Sequence, residues 1–315
     1  MVKECFTTND RNFATRPTMS VSKYLGYDYA AFAISPHGPY WRDIRKLVNL
    51  ELLANRQLQK LKHHQSSELN MGIRELFLLC SENGGLASHV TISKWIDDLT
   101  FNTTIRMLVG KRFDSSSSPE DLHIKEAIKR VLYLGGVFVV SDFIPSLEWL
   151  DLGGYLNSMM HTSKEVDGIL KKWLEEHVQK RKACGANVID TDFMDAMLST
   201  IGVDDKSMGY DRDTIIKATI QFRPERFVEE NKNVNHKGQN FEYIPFSSGR
   251  RMCPAMTYGF EMVQLVLARL LQAFTISTTL AVDMEEGLGI ALPKVNPVQV
   301  VITPRLPLEL YHQNI

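Results

Sequence analysis

Apolar residues recur every three or four positions through most of the first 220 residues, and this spacing limits the possible folds more than any other feature. Residues 95 to 108 show it as a single apolar stripe along a helix, formed by Trp95, Ile96, Leu99, Ile105 and Leu108. Turn-forming residues from Ser115 to Pro119 and from Ala183 to Asp192 interrupt the pattern as surface loops. The sequence therefore predicts a mainly α-helical chain.

The composition changes after Ile220. Asp211 begins a capped helix that runs into an irregular segment rich in proline, glycine, arginine and aromatic residues. A helix from Met256 to Phe274 is predicted to be buried on most sides, and short strands are predicted between Gly287 and Leu310. We interpret residues 1–315 as one domain with a helical part, 1–220, and a second part, 221–315, that holds a cysteine loop, a core helix and a β tail.

Charge and cysteine content exclude several classes of protein. The chain has 36 basic and 37 acidic residues and no long basic run, so nucleic acid is not an expected partner. Its four cysteines form no C-x-x-C pair, which argues against a zinc site and a disulfide framework. The first ten residues do not resemble a signal peptide, and the run from Val131 to Val140 is shorter than the roughly 20 residues that span a bilayer. We therefore expect no membrane anchor in this chain.

The segment from Phe246 to Pro254 combines residue types suited to a metal-binding loop. Cys253 precedes a predicted helix, whose positive end favours the thiolate that binds metals, and Pro254 suits the first helical position. Gly249 permits a tight turn close to a planar cofactor, Arg251 offers a fork of donors to a carboxylate, and Phe246 can pack beneath the ring. A buried cysteine with only a structural role at a helix cap is the alternative interpretation.

These residues resemble the haem-binding loop of the cytochrome P-450 family, written F-x-x-G-x-R-x-C-x-G. Phe246, Gly249, Arg251 and Cys253 match it, and Ala255 replaces the last glycine. The resemblance implies a cytochrome P-450-like helical fold with small C-terminal β elements. It also implies haem b as the cofactor, with Cys253 as the ligand of the iron.

Two further segments resemble the same family. Phe222 to Phe227 is similar to the P-E-R-F signature, in which the residue matched by Arg226 enters a buried ion-pair network. Trp41 and Arg45 are similar to the W-x-x-x-R pair, which one helix face presents to a haem propionate. On spacing alone, the same pair also suits a packed tryptophan with a solvated neighbour.

The resemblance extends over nearly the whole chain and is greatest with plant members that act on secondary metabolites. It implies an oxidoreductase that inserts one oxygen atom from O2 into an apolar small molecule, with electrons from NADPH delivered by cytochrome P-450 reductase. Such enzymes usually lie on the endoplasmic reticulum membrane and face the cytosol. Without an anchor, a cytosolic location is the expectation for this chain.

Two motifs of the family are absent from the sequence, namely Glu-x-x-Arg and a small residue followed by Gly-x-acid-Thr. We therefore expect an incomplete fold that lacks the N-terminal anchor and a central helical block near residues 220 and 221. Two interpretations follow: a haem-binding monooxygenase, or a non-catalytic remnant or splice product that binds haem weakly or not at all. A haem sensor using His236 is disfavoured, because that residue fits a solvated loop.

Overall fold

The computed structural model describes residues 2–82, 87–113, 118–184, 191–203, 209–221, 245–278, 281–291 and 293–312. The α-helices in these ranges are α1 Val2–Phe6, α2 Asp10–Phe13, α3 Ser20–Tyr24, α4 Pro39–Leu47, α5 Asn55–Glu82, α6 Ile92–Val109, α7 Pro119–Leu134, α8 Tyr155–Cys184, α9 Phe193–Thr200, α10 Arg212–Gln221, α11 Met256–Ala273 and α12 Leu308–His312. The three strands are β1 Ser88–Thr91, β2 Phe274–Ser277 and β3 Gln299–Pro304. The prediction of a mainly helical chain with small β elements is confirmed.

Helix ends agree with the capping residues in the sequence. Asp211 accepts a hydrogen bond from the backbone N–H of Thr214 at 3.0 Å, so α10 begins where the sequence predicted. Ser118 caps α7 by accepting from the N–H of Asp121, and Pro119 occupies the first turn. These side chains satisfy N–H groups that lack partners inside the helix.

The β-sheet has the order β1–β3–β2 and is antiparallel throughout. Ser88 of β1 and Ile276 of β2 both lie opposite Ile302, which is fully buried in the central strand. β3 lies in the predicted β tail. β1 was not predicted, because its four residues carry little pattern of their own and are paired with residues more than 200 positions away.

Two hydrophobic cores hold the helices together. The larger lies among α3, α4 and α6 to α10, where Ile44, Met159, Met194 and Ile215 are fully buried. The smaller joins α5 and the sheet to α11 and α12, and Phe77 stacks on Tyr311 with ring centroids 4.2 Å apart. Burying one such large apolar side chain stabilises a fold by about 1.5–3 kcal/mol. The segment after residue 245 thus shares a core with α5.

The predicted burial of two helices is partly wrong. On α11, Leu270 and Ala273 are buried, but Leu267 is 48% exposed and Leu271 is 56% exposed. The reason is that α11 packs on one side against α5 and leaves its other faces partly open to solvent among the described residues. On α6, Ile96 is 41% exposed, because the stripe that faces the core is narrower than the apolar pattern suggested. Within the described ranges, none of the helices combines the length and the apolar character needed to cross a membrane.

Candidate cofactor site

The cysteine loop is closed by its own backbone. The N–H of Cys253 donates to the carbonyl of Phe246 at 2.8 Å, and the N–H of Met252 donates to the carbonyl of Gly249 at 3.1 Å across a short 3-10 turn. Phe246 is buried and Cys253 is half-buried. These bonds fix the first and last residues of the F-x-x-G-x-R-x-C pattern against each other, so the loop has a defined shape.

Gly249 is required by its backbone conformation. Its φ is +66°, and a β-carbon added there would lie 2.8 Å from the carbonyl oxygen of Phe6 in α1. The approach of the backbone to a cofactor at this glycine stays a prediction, and the structure shows that the glycine also allows α1 to approach the loop. Arg250 adds a contact with α2 through an ion pair with Asp10 at 3.0 Å.

The helix after the loop begins later than predicted. α11 starts at Met256 with Ala255 in the capping position, so Pro254 lies in the preceding turn and not in the first helical position. Cys253 is two residues ahead of the cap, still near the positive end of the helix. Ala255 has a φ of −92°, which alanine adopts without strain, so this departure from the family's glycine carries no backbone cost.

Helix α4 brings two predicted residues to the loop. Trp41 and Arg45 lie one turn apart, with the Arg45 guanidinium carbon 5.3 Å from the centroid of the Trp41 ring. Arg45 also donates to the carbonyl of Met252, the residue before Cys253. Burial lowers the pKa of Arg45, while the charge of Cys253 acts in the opposite direction. The α4 pair and the cysteine loop therefore form one site.

Arg251 is the second arginine of this site. Its Nε donates to the carbonyl of Ala14 at 2.5 Å, and its Nη2 donates to the carbonyl of Ser35 at 2.7 Å. Its guanidinium carbon lies 4.3 Å from the centroid of the Trp41 ring. Burial, followed by the charges of Arg16 and Arg45, lowers the pKa of Arg251 to about 10. The side chain is thus held firmly in a region of strong positive potential.

His37 was not recognised from the sequence, although the structure places it in this site. Its ring lies 5.3 Å from the Trp41 ring, and its backbone N–H donates to the hydroxyl of Thr15 at 3.3 Å. Burial, followed by Arg250 and Arg251, lowers the pKa of His37. Its position four residues before Trp41 was the available signal, but His37 precedes the helix and that spacing has no fixed meaning in a loop.

Other predicted residues cannot be placed. The P-E-R-F segment from Phe222 to Phe227, including Arg226, and the alternative ligand His236 fall outside the described residues. The predicted site residues that the structure does describe lie together. They are Trp41, Arg45, Phe246, Gly249, Arg251 and Cys253.

Comparison with solved structures identifies the fold. The chain is similar to a zebra fish cytochrome P450 solved with progesterone, with a TM-score of 0.69, 14% sequence identity, and coverage of 96% of this chain and 92% of that one. The fold is therefore that of the cytochromes P450.

Sequence comparison identifies the family. The family model for cytochrome P450 matches residues 1–221 and 207–298. Vinorine hydroxylase of Rauvolfia serpentina is 36% identical over 98% of this chain and 80% of its own length. Demethylepipodophyllotoxin synthase of Sinopodophyllum hexandrum is 33% identical over 97% of this chain and 82% of its own length. A xanthotoxin 5-hydroxylase of Arabidopsis thaliana is 31% identical over 99% of this chain and 83% of its own length. The chain belongs to the cytochrome P450 family, and its relatives include plant hydroxylases.

The family implies a haem, and the described residues fit one. Arg251 Nη1 is buried and has no hydrogen-bond partner among the described residues. In the same ranges, Arg45 and Arg251 form no ion pair with a carboxylate of the protein, although burial disfavours an uncompensated charge. Two half-buried guanidinium groups beside a half-buried thiol match a planar group that carries carboxylates and a metal.

Proposed function

We propose that this protein binds haem b through the Cys253 thiolate and is a monooxygenase-type oxidoreductase acting on apolar plant secondary metabolites. The observation that carries the proposal is the contact between the cysteine loop and α4, in which Arg45 donates to Met252 and Arg251 lies over Trp41. Because the chain belongs to the cytochrome P450 family, we interpret this contact as part of a haem-binding site.

Each residue has a defined task in this proposal. Cys253 is the iron ligand, and its nearness to the start of α11 and to the charge of Arg45 favours the thiolate. Trp41, Arg45 and Arg251 hold the propionates, while Phe246 and Gly249 shape the loop. When bound, the thiolate-ligated haem supplies the chemistry that cleaves the O–O bond of oxygen.

The substrate class and the redox partner are inferred from the family. The similar plant proteins include vinorine hydroxylase and strychnine-10-hydroxylase of Strychnos nux-vomica, whose names describe oxygen insertion into small molecules. We propose a small apolar metabolite as substrate and NADPH-cytochrome P450 reductase as the electron donor. Nucleic acid is not part of this proposal.

We also propose that the chain lacks a central helical block near residues 220 and 221. The family model matches in two segments, 1–221 and 207–298, that meet at α10. The alignment with vinorine hydroxylase runs over 386 residues, more than the 315 of this chain. Both observations support an internal gap, and the overlap of the two matched segments includes the predicted position. The genomic sequence between the codons for Ile220 and Gln221 tests this, because an unannotated exon there would show a gene-model error.

A second candidate function is that of a non-catalytic remnant that retains the family name but binds haem weakly or not at all. It is favoured by the absence from the whole sequence of Glu-x-x-Arg and of the Gly-x-acid-Thr segment that delivers protons to bound oxygen. The two candidates differ first in haem binding and then in coupling of oxygen consumption to product.

The carbon monoxide difference spectrum of the reduced protein, expressed with haem supplied, tests the proposal. We expect the red-shifted Soret band of a thiolate-ligated ferrous complex, its loss in Cys253→Ala, and its retention in the matched control Cys5→Ala, whose thiol lies in α1. Soluble wild-type protein without this band would contradict haem-thiolate binding and favour the remnant. With the band present, oxygen consumed only to form peroxide would contradict the monooxygenase activity.

A further inference from the structure

His37 and Arg251 carry two buried nitrogen atoms for which the described residues offer no hydrogen-bond partner. These atoms are His37 Nε2 and Arg251 Nη1, and both belong to side chains that contact the ring of Trp41. Buried donors nearly always have partners in folded proteins, because an unpaired donor loses its hydration without compensation. Two such atoms around one tryptophan require an acceptor from outside the described residues, and the carboxylate of a bound ligand would supply one.

We propose that His37 is a further haem-binding residue of this protein, and that its Nε2–H donates a hydrogen bond to a propionate carboxylate beside Arg251. This inference rests on the proposed haem binding and adds to the Trp41, Arg45 and Arg251 set a residue that lies before α4.

The anchoring of the two side chains supports a shared ligand. Arg251 uses Nε and Nη2 to reach the carbonyls of Ala14 and Ser35, while the N–H groups of Nη1 have no acceptor among the described residues. The backbone of His37 is bound to Thr15, the neighbour of Ala14. The segment at Ala14 and Thr15 and the segment from Ser35 to His37 therefore hold both side chains. The relative positions of the two donors are thus set before any ligand binds.

Charge explains why a histidine suits this position. Burial, followed by the charges of Arg250, Arg251, Arg42 and Arg11, lowers the pKa of His37, which favours the neutral imidazole. A neutral imidazole supplies one N–H without adding to the local positive charge. Carboxylates are the acceptors that such a cationic environment favours, and a hydrogen bond to a carboxylate is stronger than one to a neutral acceptor.

Haem loss from the ferric holoprotein to excess apomyoglobin tests the proposal. We expect His37→Phe, which keeps an aromatic ring beside Trp41, to accelerate haem loss roughly tenfold, as removal of one charge-assisted hydrogen bond predicts. His37→Gln retains a donor and should restore most of the wild-type rate. The matched control is His89→Phe, because His89 is an exposed histidine on β1, in the sheet.

Two further measurements separate a ligand contact from a structural role. With haem dimethyl ester, which lacks the propionate charges, the difference between His37→Phe and wild type should fall to about twofold or less. In the apoprotein, His37→Phe should unfold at the same urea concentration as wild type or a higher one, since it removes an unpaired buried donor.

The outcomes distinguish this inference from the proposed function. Wild-type protein that retains haem, together with an unchanged rate of haem loss in His37→Phe, overturns the role of His37 and leaves haem binding intact. An equal acceleration with natural haem and with the ester also overturns it, because the effect would then be independent of the carboxylates. Wild-type protein that binds no haem overturns both proposals.

Discussion

The guanidinium carbon of Arg251 lies 4.3 Å from the centroid of the Trp41 ring, although the two residues are 210 positions apart in the sequence. Trp41 belongs to α4 and Arg251 to the cysteine loop, so this contact joins the two elements that carry the candidate site. The geometry depends on the planar shape of arginine, which stacks on the ring while its edge donates to two carbonyls.

Arg251→Lys should therefore destabilise the protein although the charge is retained. Lysine cannot reach the carbonyls of Ala14 and Ser35 together while covering Trp41, and the loss of two hydrogen bonds amounts to about 2 kcal/mol in the free energy of unfolding. Urea unfolding measures this value. The matched control is Arg305→Lys, where an exposed arginine donates to one carbonyl and the change should stay within about 0.5 kcal/mol. Equal effects in the two variants would contradict the expectation.

The sequence could predict the side chains of the site better than their partners. Trp41 and Arg45 were predicted from their resemblance to the W-x-x-x-R pair of the family, and Arg251 and Cys253 from the loop pattern and its resemblance to the haem-binding loop. The partners of Arg251 are backbone carbonyls more than 200 residues away, and every residue has a carbonyl. No residue type therefore marks them, and only the folded chain shows which ones are used.

Burial was predicted less well, for a similar reason. Apolar spacing shows that α11 is a helix, and the helix is present at Met256–Ala273. The same spacing cannot show how many neighbours cover it, so the exposure of Leu267 and Leu271 was missed. The close approach of α1 to Gly249 was also missed, because it depends on the position of the Phe6 carbonyl in the folded chain.

Gly249→Ala should weaken the attachment of the cysteine loop. The φ of +66° disfavours alanine, and the new β-carbon would lie 2.8 Å from the Phe6 carbonyl, so the expected loss is about 2–3 kcal/mol. Gly168→Ala is the control. Gly168 lies inside α8 with open space around its missing side chain, so alanine there should add about 0.5–1 kcal/mol. Thermal unfolding of both variants checks these opposite signs, and a stabilised Gly249→Ala protein would refute the strain argument.

Glu68 should be a larger contributor to stability than the surface ion pairs. It is 2% exposed and binds Arg106 at 2.6 Å and Arg112 at 3.1 Å. Glu68→Gln removes the charge that both arginines share, and we expect a loss of about 2–3 kcal/mol. Glu120→Gln breaks the exposed pair with Lys172 and should cause a much smaller loss, because water screens that pair. Urea unfolding at neutral pH compares the two, and similar losses would show that the burial of Glu68 has no consequence.

His177 links α8 to α9 through a buried ion pair. Its Nε2 lies 3.0 Å from Asp192 Oδ2, its Nδ1 lies 2.7 Å from the carbonyl of Trp173, and Asp192 Oδ1 caps α9 by accepting from the N–H of Asp195. Burial acts to lower the pKa of His177, but the hydrogen bond and charge of Asp192, with smaller contributions from Trp173 and Asp195, outweigh it and raise the pKa. Arg181 also faces this cluster, 3.6 Å from Asp195.

The raised pKa fixes the sign of a pH effect on stability. The imidazolium form contributes fully below the unfolded pKa of about 6.5, and the contribution disappears as the pH rises through the higher pKa of the folded protein. The free energy of unfolding of wild type should therefore exceed that of His177→Gln most at acidic pH, and the difference should shrink as the pH rises through that range. His89→Gln, which alters an exposed histidine on β1, should show no such trend. Urea unfolding at a series of pH values measures both differences, and a wild-type advantage that grows with pH would show that His177 is neutral in the folded protein.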